Sequence, residues 1–281
     1  MSNDLEQFFG CATIREMARG PAVLAVLALL STPGSSARAA EDPLVRARAL
    51  YNQRQFQAAI SAAEQARLTP GRADAADLVA ARAYLERYRE SSASDDLANA
   101  RDRLRRIDPL RFPPGERDEF IVGLGETLFF DGAFGAAANV FDSVLRNGGL
   151  LTGDARERVL DWWASAIDRE ARPRPDIERQ SRYQRIRARM EEELATHPGS
   201  GSAAYWLANA ARAQGDLQAA WDAAQAGWVR ASLAADHGAA LRADLDQLVL
   251  RGIVPDRAKL LAQPPDTLRL EWEKFKEKWN K

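Results

Sequence analysis

The sequence predicts an all-helical protein, an α-α superhelix of antiparallel helix pairs closed by a C-terminal capping helix. Three observations carry this. From Glu41 onward, alanine, leucine, arginine and glutamate recur at three- and four-residue spacing, the period at which side chains share one face of a helix. No stretch sustains the strict alternation of a half-buried strand. Turn-forming clusters punctuate the helical pattern along its whole length, as a series of short helices requires.

Residues 1–40 read as an export signal. Arg19 and Gly20 precede an apolar run from Pro21 to Leu30, then Ser31 to Ser36, then the small-x-small triplet Ala37-Arg38-Ala39, the order of regions in a signal peptide. The run is about ten residues long, whereas a membrane-crossing helix needs ~20. A retained anchor is therefore the weaker reading, and no stable membrane span is expected after cleavage. Asp4, Glu6 and Glu16 are out of place ahead of a signal, and Met17-Ala18-Arg19 makes the better start. Cys11, the one cysteine, precedes the apolar run, so the processed chain has no thiol to mispair in an oxidising compartment. The expected location is the periplasm or the exterior of the cell.

Residues 41–265 form the repeat domain. Its expected breaks are Thr69-Pro70-Gly71, Pro113-Pro114-Gly115, Asn147-Gly148-Gly149, Arg172-Pro173-Arg174-Pro175, His197-Pro198-Gly199, Asp236-His237-Gly238, Val254-Pro255-Asp256 and Gln263-Pro264-Pro265-Asp266. Leu248-Val249-Leu250 has the composition of a strand, but Leu241, Leu245 and Leu248 carry a helical stripe into it, so it too is assigned to helix.

One unit recurs: Ile121, Leu124-Gly125, Leu128, Gly132-Ala133-Phe134, Ala137, Phe141, Val144. A second copy runs Leu207-Ala208, Ala211, Gly215-Asp216-Leu217, Ala220, Ala224, Gly227. A third runs Ala47, Leu50, Phe56, Ala59, Ala63, Ala66, with Gln55 in place of the turn glycine. This pattern resembles the tetratricopeptide repeat. Ala59, Ala98 and Ala137 recur at 39-residue steps, longer than the family period of ~34. The resemblance covers residues 43–70, 74–109, 118–146 and 203–230 and is poor over 154–198. It implies that Gly125 and Ala208 face Ala137 and Ala220 across closely crossing helices, while Phe134 and Leu217 fill the turns.

Residues 266–281 read as the capping helix. Leu268, Trp272, Phe275 and Trp279 make one apolar stripe, with Glu271, Lys274 and Lys278 on other faces. Such a helix covers the apolar side that a last repeat exposes.

The chemistry of the chain points away from catalysis. A net charge of -1 at a pI near 6.2 draws neither nucleic acid nor anionic lipid. The arginine runs at Arg101, Arg103, Arg105, Arg106 and at Arg182, Arg185, Arg187, Arg189 are interleaved with Asp102, Glu178 and Glu191 to Glu193, which dilutes them as nucleic-acid patches. His197 and His237 stand in turns and outside any metal-ligand spacing, and no strand precedes Gly123-Leu124-Gly125 to make it a phosphate loop. No catalytic residue, metal or cofactor is expected.

The family resemblance instead implies a protein partner, a peptide or helix held in the groove lined by the first helix of each pair. It projects Glu119, Val122, Glu126 and Phe129 there from one repeat, and Tyr205, Asn209 and Arg212 from another. An accessory module for cell-wall turnover is the alternative expectation.

Overall fold

The computed structural model describes residues 42–146, 151–234 and 236–279. The expected export signal, the start at Met17 and the Asn147-Gly148-Gly149 turn lie outside the described residues. Every element among the described residues is a helix.

The helices are α1 Pro43–Asn52, α2 Phe56–Arg67, α3 Ala73–Ser91, α4 Ser94–Arg106, α5 Pro114–Phe130, α6 Phe134–Arg146 and α7 Gly153–Ala171. They continue as α8 Asp176–Thr196, α9 Gly201–Ala213, α10 Leu217–Arg230, α11 Ala239–Leu248, α12 Val254–Leu261 and α13 Pro265–Trp279. Short 3-10 turns at Pro109–Arg111 and Ala231–Leu233 lengthen two of the connections.

The ends are marked by the chemistry that helix termini demand, because the first amides and last carbonyls lack partners within the helix. Thr152 and Ser200 cap α7 and α9 through their hydroxyls, and Asp216 caps α10 through its carboxylate. Gly132 and Gly215 adopt positive φ of 76° and 79° in the turns after α5 and α9, a conformation that costs a side-chain-bearing residue.

The expected break at Val254-Pro255-Asp256 is absent. Helix runs from Ala239 to Leu261, with Val249–Ile253 as a π-helical turn and Pro255 in the first turn of α12. Proline has no amide hydrogen to donate, and the wider π turn just before it absorbs the change of register.

Each helix packs on its neighbours in sequence, and the odd-numbered helices also meet one another, α1 with α3, α3 with α5, α5 with α7, α7 with α9 and α9 with α11. The odd-numbered helices from α1 to α11 thus form one continuous row, and α12 continues α11. Residues 154–198, where the repeat resemblance is poor, supply α7 and α8, and these join the array like the rest.

Close crossing depends on small residues. A β-carbon at Gly125 would stand 2.5 Å from the Phe141 ring, so Phe141, one turn beyond Ala137, is what Gly125 admits. In the next such pair Ala204 and Gly227 approach, a β-carbon on Gly227 falling 3.3 Å from that of Ala204. Ala98 is exposed and Ala100 is fully buried in its place, so the repeat spacing is uneven.

Arginines tie the helices to one another. Arg103 of α4 reaches Glu64 of α2 and, at 2.8 Å, buried Asp77 of α3. From α8, Arg182 pairs with Glu170, Arg185 and Arg189 with Asp142, and Arg187 with Asp216. Both arginine runs are thus engaged within the fold. The planar guanidinium, with five donors, bridges two carboxylates more readily than an ammonium group; only five of the 39 basic residues are lysine.

Helix α13 lays Leu268 and Trp272 against the end of the array, Trp272 meeting the rings of Trp221 and Trp228 at 5.8 and 5.5 Å.

Candidate functional site

The row of odd helices holds a cavity of about 310 Å³ bounded by α1, α3, α5 and the first turns of α7. A second hollow of about 240 Å³ adjoins it and shares Tyr51, Arg82 and Glu119. Together they make a trench running across α1, α3 and α5.

Spacing along each helix explains why these side chains meet. Arg82, Glu86 and Arg89 are four and three residues apart on α3, and Glu119, Val122 and Glu126 are three and four apart on α5, so each trio shares one face. Ala155 and Arg158 continue the lining from α7.

Most of the charges are neutralised locally. Arg82 donates to Glu119 at 2.6 Å and lies over the Tyr51 ring at 4.5 Å. The Tyr51 hydroxyl donates to Glu86 at 3.4 Å. Arg89 grips the same Glu86 at 3.1 Å and stacks over Trp162 at 5.4 Å. At the outer end of the trench Arg48 pairs with Glu116 at 2.5 Å.

Glu126 and Arg158 are different. Among the described residues neither forms a hydrogen bond or ion pair, though both line the cavity. Burial, then the nearby Glu86 charge, pushes the Glu126 carboxyl up to about 7 against the pull of Arg89, Arg82 and Arg158. Burial likewise pushes the Tyr51 hydroxyl up to about 12, with Arg82 opposing. The Arg82 guanidinium gains basicity in spite of burial, because Tyr51, Glu119 and Glu126 favour its charged form.

Of the residues projected from the sequence, Glu119, Val122 and Glu126 line this cavity. Phe129 does not: it is buried, edge-on to Trp162 at 4.6 Å and Phe134 at 5.2 Å, with Arg169 over its ring at 5.0 Å. Tyr205, Asn209 and Arg212 lie on α9, away from it. Tyr205 meets Trp206 edge-on at 5.6 Å. Arg212 crosses Gly252 of the π-helical turn to pair with Asp256 at 2.9 Å.

The sequence reading passed over Tyr51, Arg82, Glu86, Arg89 and Arg158. For Arg82, Glu86 and Arg89 the signal was a polar stripe at helical spacing on α3. A second acidic feature lies further along the same row. Asp161 of α7 accepts from the Trp206 indole at 2.8 Å, and burial, then Asp161, raises the Asp244 carboxyl of α11 to about 6.

Ion-paired walls with one unanswered cation and one unanswered carboxyl equip the trench to bind polar groups in a fixed orientation. Comparison of the chain with protein-family models and with curated proteins finds no match.

Proposed function

We propose that the chain is an exported, non-catalytic scaffold, a tetratricopeptide-type solenoid whose odd-numbered helices form the concave wall that holds a peptide or partner helix. The supporting observation is the trench across α1, α3 and α5, two adjoining hollows that share Tyr51, Arg82 and Glu119. An extended segment needs a site of this kind, long in one direction, with fixed polar groups for its backbone and shallow pockets for alternate side chains. The ion pairs of the wall hold those groups in place before a partner arrives, which reduces the ordering cost of binding.

A photo-crosslinking residue tests the reading. Placed at Val122 in the trench, it is expected to give one discrete protein adduct in cells. Placed at exposed Gln65 on α2, outside the trench, it is expected to give none. Equal adducts from both positions, or none from Val122, would sink the scaffold. Export has its own test: the protein from the envelope fraction should begin near Ala40. Peptides from residues 1–16 would rule out the start at Met17.

A further inference from the structure

We propose that the cavity between α1, α3, α5 and α7 is a binding site for a small zwitterion, a free amino acid or a dipeptide, with its carboxylate on Arg158 and its ammonium group on Glu126. The inference goes beyond the scaffold reading and needs no protein partner.

The cavity carries leftover charge. Three arginines and three glutamates line the cavity. Arg82 is answered by Glu119 and Arg89 by Glu86. One cation and one carboxyl remain, Arg158 and Glu126, on opposite walls of the same space and unpaired among the described residues. Arg89, Arg82 and Arg158 act on Glu126 only at a distance, without an ion pair, and burial outweighs their pull. A ligand ammonium beside Glu126 supplies what the fold withholds.

The other end of the site suits a carboxylate. The Arg158 guanidinium presents a donor fork that matches carboxylate geometry. Thr152 and Ala155 put the first turn of α7 on the rim, and the positive end of a helix dipole favours negative charge. Val122, Leu151 and Val159 offer an apolar strip between the poles for a ligand's carbon skeleton. A volume of about 310 Å³ is at the small end of ligand pockets, which limits the ligand to amino-acid or dipeptide size.

Titration calorimetry on the full chain tests this with the common free amino acids and their dipeptides with glycine as probes. Any probe that binds is retested as its N-acetyl and its C-terminal amide form. Both blocked forms are expected to bind at least about tenfold more weakly, because each loses one charge-assisted contact. Undiminished binding of the N-acetyl form would show a site for anions alone, and undiminished binding of the amide a site for cations alone. Either overturns the proposal, as does a panel in which nothing binds.

Glu126→Gln and Arg158→Gln are each expected to remove binding while circular dichroism shows the helices intact. The blocked ligands decide the matter should either variant misfold. The pH trend is an independent check. Glu126 is faced by Tyr51 of α1, by Arg82, Glu86 and Arg89 of α3, by Glu119 on its own helix and by Arg158 of α7. An incoming ammonium favours the charged form of Glu126, so binding should release a proton and tighten from pH 6 to pH 8. Weakening over that range contradicts the assigned orientation.

Discussion

The Phe141 ring occupies the space that a side chain on Gly125 would fill, 2.5 Å from where a β-carbon would stand. The two residues belong to consecutive helices, α5 and α6, and Phe141 is fully buried. Gly125→Ala removes the flexibility penalty of a mid-helix glycine, a gain of about 1 kcal/mol. It also drives a methyl group into an aromatic ring, and overpacking of that kind costs about 1–3 kcal/mol. We expect net destabilisation in urea titration, relieved in part by combining it with Phe141→Leu. An alanine variant as stable as the parent would show that the ring has room to move.

Arg156 and Glu193 clamp α7 to α8. Two parallel bonds of 2.7 and 2.6 Å join them, Glu193 is 3% exposed, and His197 adds a contact at 3.0 Å. Arg156→Ala leaves a buried carboxylate without its main partner, a loss of about 3–5 kcal/mol. Arg156→Met combined with Glu193→Leu removes both charges and keeps the volume, so it should recover most of that loss. The unfolding free energies of the single and double variants give the comparison directly. Equal destabilisation in both would mean that the ion pair itself, and not the avoidance of a stranded charge, carries the effect.

Helix existence was legible in the sequence because alanine-rich stripes and turn residues act locally. Which large side chain the Gly125 gap admits was not: the Phe141 ring stands there, because long helical side chains lean back toward the N-terminus of their own helix. Proline ends most helices, but a π-helical turn precedes Pro255 and carries the helix through it. Glu119, Val122 and Glu126 were found from one repeat-like helix. Arg158, on the opposite wall of the same cavity, stands in the stretch of poorest resemblance, where no pattern aligned it with its neighbours. Phe129 shows the converse, an aromatic at groove-facing spacing that the neighbouring Trp162 draws into the interior.

Trp272 joins the last helix to the array. It is fully buried, donates to Asp246 at 2.8 Å and meets Trp221 and Trp228. Lys276, one turn on, reaches the same Asp246 at 2.7 Å and lies 5.5 Å from the Trp228 ring. Trp272→Ala removes that packing and leaves Asp246 with Lys276 alone, at about 3–5 kcal/mol. Loss of the cover should expose the apolar side of α10, so light scattering is expected to show self-association before the unfolding midpoint. A monomeric Trp272→Ala variant of unchanged stability would deny α13 its capping role.

Mild acidification from neutrality is expected to stabilise the fold before stronger acid destroys it. Burial, then Glu86, raises Glu126 to about 7; burial, then Asp161, raises Asp244 to about 6. Burial also raises Asp161 and Asp118. A carboxyl whose folded pKa exceeds its unfolded value holds more protons in the folded state, so stability grows as pH falls through the folded value. Glu193 works in the other direction. Burial opposes its charge, but the Arg156 bonds outweigh burial and lower its pKa. Its contribution is complete above the unfolded glutamate value of ~4.3 and is lost as pH falls through the lower folded one. The thermal midpoint should therefore rise from about pH 8 to about pH 5 and fall below about pH 4, the range set by these opposing shifts. Glu126→Gln should flatten the upper limb and leave the acid limb in place. A midpoint that declines steadily from pH 8 downward would show that the buried carboxyls are already answered by cations in the folded state.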